Sequence, residues 1–349
     1  MPVSAVNVIS PAFERMKRQL FKPFRFGQWL RLAIVGFLAG EMGSGGGGGI
    51  RALFNVPENI PRTGPLQIPG VGRPALFVLG IALLVLLVII VSVVFLYISS
   101  RMRFVLFESI VNGQCRIREF WSRHGAPTFH YFIWQLLFAL VAFLGAGLLI
   151  GVPLLLAYSG GLFRNPENHI PALVIGGIIL LFIFLVWFTV FALVTVLTKD
   201  FVVPQMALEQ LTAVEGWRRL WAMMKSEKAA YAGYLGMKIL LRLGASIILG
   251  FISIAVILTL MIPIGGFSIV AILGGRAAGI TWNPATIAIA VVVGGVLLVG
   301  LILIGALISV PAVVFMPAYS VYFFADRYPP LRTLMYPPLM SEDNRGLHG

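Results

Sequence analysis

Charge is what this sequence has least of. Asp, Glu, Lys and Arg make up 11% of its 349 residues, while 59% are hydrophobic. A soluble domain carries roughly 25% charged residues, so a chain this poor in charge cannot keep its whole surface wet. Lipid must be much of its solvent. Cysteine is almost absent: Cys115 stands alone, which excludes an intrachain disulfide framework and a thiolate metal cluster. Catalytic signatures are missing as well. There is no HExxH, no GxSxG and no Walker loop. The run Gly45–Gly49 has no following Lys and no strand–helix setting, so it is not a phosphate cradle. His124 and His130, with Glu108 and Glu119 upstream, lack metal-ligand spacing and read as interfacial ring anchors. No metal and no cofactor is expected. The segment Met1 to Phe26 has neither the apolar core nor the cleavage site of a secretory signal, so insertion is expected to be directed by the first span.

What is present is length of apolar run. A membrane-spanning helix needs about 20 residues, and five segments supply it: 74–100, 131–158, 171–198, Tyr231 to Pro263, and Pro284 past Leu307. A sixth, from about Gly27 to Gly46, contains Arg31 and Glu41 and ends in glycines. A full span and a re-entrant half-helix compete for residues 28–50. No charge occurs between Arg276 and Asp326, a run longer than one crossing, interrupted by Pro311 and Pro317. Proline removes a helical hydrogen bond, so a span to about Ser309 and a bent continuation are expected. The fold class is therefore an all-α integral membrane protein with six transmembrane helices. It forms one polytopic domain over 1–327, followed by a Pro-rich, then disordered tail over 328–349.

The net charge of +13 sits in short loops beside apolar runs, which fits anionic headgroups and not nucleic acid. Counted by side, nineteen Lys and Arg fall in the N-terminal segment, in the loops after the second and fourth spans and in the tail. Five fall on the other side: Arg51, Arg62, Arg73, Arg164 and Arg276. The positive-inside rule then places both termini in the cytoplasm of a multi-pass inner (plasma) membrane protein. Cys115 is expected to react with an impermeant thiol reagent only from that side.

Three basic amphipathic stretches precede spans. In the first, Ser10 is a candidate cap with Pro11 behind it, and Phe13, Met16 and Leu20 share a face. In the second, Phe104, Phe107 and Val111 do so. In the third, Thr212 and Glu215 form a capping box, and Trp217, Leu220, Trp221 and Met224 lie beside Arg218, Arg219, Lys225 and Lys228. Such faces suit a helix in the membrane interface, or one packed on its own protein. The chain divides on this basis into units 8–100, 101–199 and 200–327, each an interfacial helix plus two spans. The small-residue pairs Gly36/Gly40 and Gly147/Gly151, with Gly236, Gly244 and Gly250, are candidate helix contacts.

Charged residues inside spans default to function. Lys238 and Arg242, four apart on one face, are candidates for a lipid phosphate, or else snorkel to the headgroups. Arg218, Arg219, Lys225 and Lys228 are the other candidate headgroup contacts. Glu41 and Gln135 are the candidate intramembrane polar residues, and Glu41 reads as the only acid near a span core.

The inner segments KPFRFGQWLRL, RMRFVLFESIVNG and KDFVVPQMALEQLTAVEGWRRLWAMM resemble a broad group of six-span prokaryotic membrane proteins. That group includes the membrane domain attached to some glycerophosphoryl diester phosphodiesterases and related domains of unknown function. Asp200-Phe201-Val202-Val203-Pro204 is the most specific part of the match. The resemblance covers most of the chain as a layout. The catalytic barrel of those fused proteins has no counterpart here, so the resemblance implies a membrane domain without hydrolase activity. The expected role is a non-enzymatic envelope scaffold or lipid-interacting protein, whose partners are anionic lipids and a membrane-protein partner or second copy. The competing role is a transporter or channel for a small or amphiphilic solute, with a cavity lined by Glu41, Gln135, Lys238 and Arg242.

Overall fold

The computed structural model describes residues 4–41, 74–123, 125–163, 169–277 and 284–336, and among these every regular element is helical. The expectations for Gly45–Gly49, for the Pro-rich stretch 51–73, for Arg51, Arg62, Arg73, Arg164 and His124 and for the end of the tail lie outside the described residues. In chain order the helices are α1 (Ile9–Phe21), α2 (Phe26–Leu38), α3 (Pro74–Asn112), α4 (Ile117–Arg123), α5 (Gly125–Ser159) and α6 (Ile170–Leu197). After a π turn at Thr198–Val202 come α7 (Val203–Glu209), α8 (Ala213–Ser226), α9 (Lys228–Ala277), α10 (Pro284–Ala325) and α11 (Pro329–Met335).

Five of these, α3, α5, α6, α9 and α10, are long and apolar enough to cross a membrane. Each has two parts. Over 78–95, 137–156, 174–193, 239–262 and 289–303 large aliphatic and aromatic side chains stand exposed turn after turn. The longest of these stretches reach roughly 30–36 Å at 1.5 Å per residue, matching a hydrocarbon layer of about 30 Å. In water such a surface would be an aggregation liability; in lipid it is a solvated one. The other part of each helix enters a single buried core at one end of the molecule. Phe104, Ile110, Tyr131, Phe201, Tyr234, Val314, Phe323 and Phe324 fill it, and α1, α2, α4, α8 and α11 close around it. We call this the packed end.

The amphipathic stretches meet this core in different ways. α1 starts two residues earlier than expected: Val8 is its N-cap and no side chain caps it, so Ser10 lies inside the helix. Its buried face is Val8, Ala12, Met16, Gln19 and Leu20, set against α10, whereas Phe13 points outward. The second stretch is no separate helix. Residues 101–112 continue α3 without a break, with Phe104 and Phe107 buried. The third, α8, is capped by Thr212, whose Oγ1 accepts from Glu215 N–H at 3.4 Å. It buries Ala213, Gly216 and Leu220.

α2 is a 13-residue helix, about 20 Å long. It ends in a Schellman motif: Gly40 takes φ +73°, Glu41 N–H bonds Gly36 O at 3.0 Å, and Gly40 N–H bonds Phe37 O at 3.1 Å. α2 therefore stops at the level of Arg103, and the crossing expected over Gly27–Gly46 is not completed within the described residues. α10 continues past Ser309 as expected, and it does so without a break in helical structure, carrying Pro311 and Pro317 inside one 42-residue helix.

Glycine contacts are also narrower than the small-residue pattern implies. A Cβ on Gly36 would lie 2.4 Å from Val313 Cγ1, so this residue does permit close approach of α2 and α10. Nothing lies within 4 Å of a Cβ at Gly147, Gly151, Gly236, Gly244 or Gly250. Gly145, unmarked by spacing, is the close contact of α5, its Cβ position 2.2 Å from Trp187.

Candidate functional site

Pro204 explains the geometry at the end of α6. A proline at position i has no N–H for the carbonyl at i−4, here Asp200. The ladder widens just before it: Val203 N–H reaches back five residues to Thr198 O, and Thr198–Val202 form a π turn. π turns inside α-helices are frequent at functional sites. Trp217 of α8 donates Nε1–H to Thr198 Oγ1 at 3.1 Å, and Gly216 lets α8 lie against Val202.

Asp200 is buried on that turn and is a hub for three helices. Lys238 of α9 forms an ion pair with its carboxylate. Tyr234 Oη lies 2.8 Å from Asp200 Oδ2 and 2.7 Å from Ser320 Oγ, and Ser320 Oγ lies 3.1 Å from Asp200 Oδ1. Lys238 Nζ also donates to Ser320 Oγ at 3.2 Å. Stacked Tyr234 and Tyr319, at 5.4 Å, wall this hub on the core side.

A second hub forms at Glu41, just past the end of α2. Arg103 of α3 pairs with it at 2.8 Å and also donates Nη2–H to Ala39 O at 2.6 Å. A cation at the C-terminus of a helix offsets both the free carbonyls and the helix dipole. Arg242 stands 3.8 Å from the same carboxylate, one turn beyond Lys238. Between the hubs is a cavity of about 30 Å³ lined by both carboxylates, Arg103, Lys199 and Lys238, with Pro204 and Pro317 in its wall. That volume holds about one water.

The sequence candidates separate into three groups. Glu41, Lys238 and Arg242 come together in this site. Lys238 is only 6% exposed and turns inward to Asp200. An acid on a neighbouring helix satisfies it, and Asp200 is thus a second acid near a span core beside Glu41. Gln135 is elsewhere: its Oε1 accepts from Ser100 Oγ at 2.6 Å. The α8 residues form the third group. Arg218 pairs with Glu215 at 2.8 Å, and Arg219 pairs with Glu209 at 2.5 Å. Arg218 hydrogen-bonds the Glu215 carboxyl and holds it below its ordinary range. Lys225 and Lys228 are exposed, with Lys225 Nζ 6.0 Å from the Trp221 ring. Sequence reasoning missed Asp200, Arg103, Lys199, Tyr234 and Ser320 as site residues. The available signal was Asp200, an acid at the end of an apolar run, facing a Lys on another span.

Cys115 is buried, and burial pushes its thiol up, so it is a poor reporter of sidedness. His130 is exposed. Among the described residues no three His, Cys, Asp or Glu gather as a metal site.

A family of unknown function, DUF7544, matches residues 3–334, nearly the whole chain, and the chain belongs to it. No curated protein and no solved structure matches. None of these findings links the chain to the membrane domain of glycerophosphoryl diester phosphodiesterases.

Proposed function

We propose that this member of the DUF7544 family is a non-enzymatic six-crossing membrane protein that engages anionic lipid headgroups through its packed end. The observation that carries the reading is the outer surface of that end. Phe13, Phe21, Phe24 and Phe26 are each about half exposed or more, beside exposed Lys17, Lys22 and Arg25. On α8, Trp221 is 56% exposed beside Lys225 and Lys228. Aromatic rings next to Lys and Arg, on helices already packed on their inner face, are the pattern of a protein surface seated at the headgroup level.

Six crossings rather than five are supported by the ends of the described chain. α1 and α11 both lie at the packed end: Tyr319 of α10 donates to Ala5 O at 3.2 Å, and Tyr328, just before α11, hydrogen-bonds Glu209. A chain that begins and finishes at one end crosses an even number of times. The excess of Lys and Arg at that end favours the cytoplasmic side of a plasma membrane.

Charge reversal tests the lipid reading. Replacing Lys22, Arg25, Lys225 and Lys228 by Glu is expected to lower retention of phosphatidylglycerol relative to phosphatidylcholine by the purified protein at least tenfold, at about 1 kcal/mol per charge near an anionic surface. Equal retention by the variant contradicts it. A transport role is the second reading. It is favoured by the buried charges at the cavity, whose volume suits a small ion or water.

A further inference from the structure

The two hubs do not balance. Among the described residues, Arg103, Lys199, Lys238 and Arg242 bring four cations to a region where Glu41 and Asp200 bring two carboxylates. Three of the cations have carboxylate partners. Lys199 does not: it lines the cavity and makes no hydrogen bond or ion pair within 4 Å among the described residues. Arg242 adds a buried Nε–H with no acceptor among the described residues. Lys199 is half-buried where the exposed apolar band gives way to the packed core, so its contact with bulk water is reduced. Uncompensated charge in such a place is costly. Either Lys199 is neutral or an anion sits beside it.

We propose that this cavity is a binding site for a small inorganic anion of the halide class, held by Lys199 with Arg103 and Lys238. The volume favours the class. Space for about one water suits a monatomic anion, and a carboxylate or a whole phosphate is larger. The polarity of the walls fits as well. The Asp200 oxygens are turned to Lys238, Tyr234 and Ser320, and Glu41 is turned to Arg103. Both acids are thereby occupied, and Lys199 is the cation left to face the space. Leu106, Phe107, Val203 and Val321 supply the apolar remainder, a lining that suits a weakly hydrated ion. The inference is independent of the lipid surface, which lies on other residues.

Chloride is the probe. The full chain, purified in detergent with gluconate as the anion, is titrated with chloride at constant ionic strength while thermal unfolding is followed. A saturable rise of about 2–4 °C in Tm is expected, as for a ligand that binds the folded state alone. The rise is expected to vanish in Lys199→Gln and to persist in Arg332→Gln, an exposed change on α11. No chloride-specific rise, or an equal rise in Lys199→Gln, overturns the site and leaves Lys199 neutral. A rise with phosphate but not with chloride assigns the charges to a phosphate group and overturns the halide. If Lys199→Gln does not fold, equilibrium dialysis of the unaltered protein with radiolabelled chloride decides: one ion per chain supports the proposal, and none overturns it.

Discussion

Asp200 and Lys238 form the ion pair on which three helices converge, and the pair is less than a tenth exposed. Removing one partner of such a pair leaves a buried charge without its counterion, which costs roughly 3–5 kcal/mol. Asp200→Asn is therefore expected to lower the midpoint of thermal unfolding by several degrees. The double replacement Asp200→Leu with Lys238→Met is expected to recover much of the loss, because two apolar side chains leave no charge stranded. A double variant no more stable than Asp200→Asn contradicts this account of the pair. The residue scale was the least legible in the sequence. The spacing of Lys238 and Arg242 shows that they share a helix face, but not which neighbour that face meets. That depends on the π turn at Thr198–Val202, which rotates Asp200 inward, and on Ser320, far away along the chain. Glu41 was visible as an unusual acid, whereas its partner Arg103 read as one more basic loop residue.

At the scale of elements, the five long apolar helices were legible from run length alone, because a charge-free stretch of more than 20 residues has few other uses. Their continuation past the apolar band was not. Residues 101–112 look like a separate basic amphipathic helix because hydrophobic periodicity reports which face is buried, not where one helix stops. α10 runs on through two prolines because neighbouring side chains and helices can stabilise a chain that has lost single backbone bonds. Glycine spacing was a poor guide to contacts, since GxxxG marks a face without naming its partner. The difference is measurable. Gly36→Ala places a methyl group against Val313 and is expected to destabilise by about 1–3 kcal/mol, as overpacking does. Gly147→Ala, with open space around its Cβ, is expected to be neutral or slightly stabilising through helix propensity. Equal effects of the two, read by thermal unfolding, contradict the α2–α10 contact.

For the molecule as a whole, the separation of a lipid-solvated band from a packed, basic end organises everything else. The long spans lie in the band, while the ion pairs, the cavity and the aromatic–basic surface lie at the packed end or at its border with the band. The sequence pointed to this division through the bias of Lys and Arg, which follows the alternation of the spans. It could not show that the loops and the adjoining ends of the spans share one core. That arrangement arises from contacts between distant parts of the chain, such as Arg15 with Ile110 O at 3.0 Å and Arg327 with Glu227 at 2.8 Å.

The sidedness of the packed end tests the account most directly. In a Cys115→Ser background, single cysteines at the exposed positions Ser4, Ser226 and Thr333 report on the packed end, and one at Tyr158 reports on the far end of α5. An impermeant maleimide applied to intact cells is expected to label the Tyr158→Cys protein alone. The other three are expected to react only after permeabilisation. Labelling of Ser4→Cys and Thr333→Cys from opposite sides, or of Ser226→Cys from outside, contradicts an even number of crossings with the basic end in the cytoplasm.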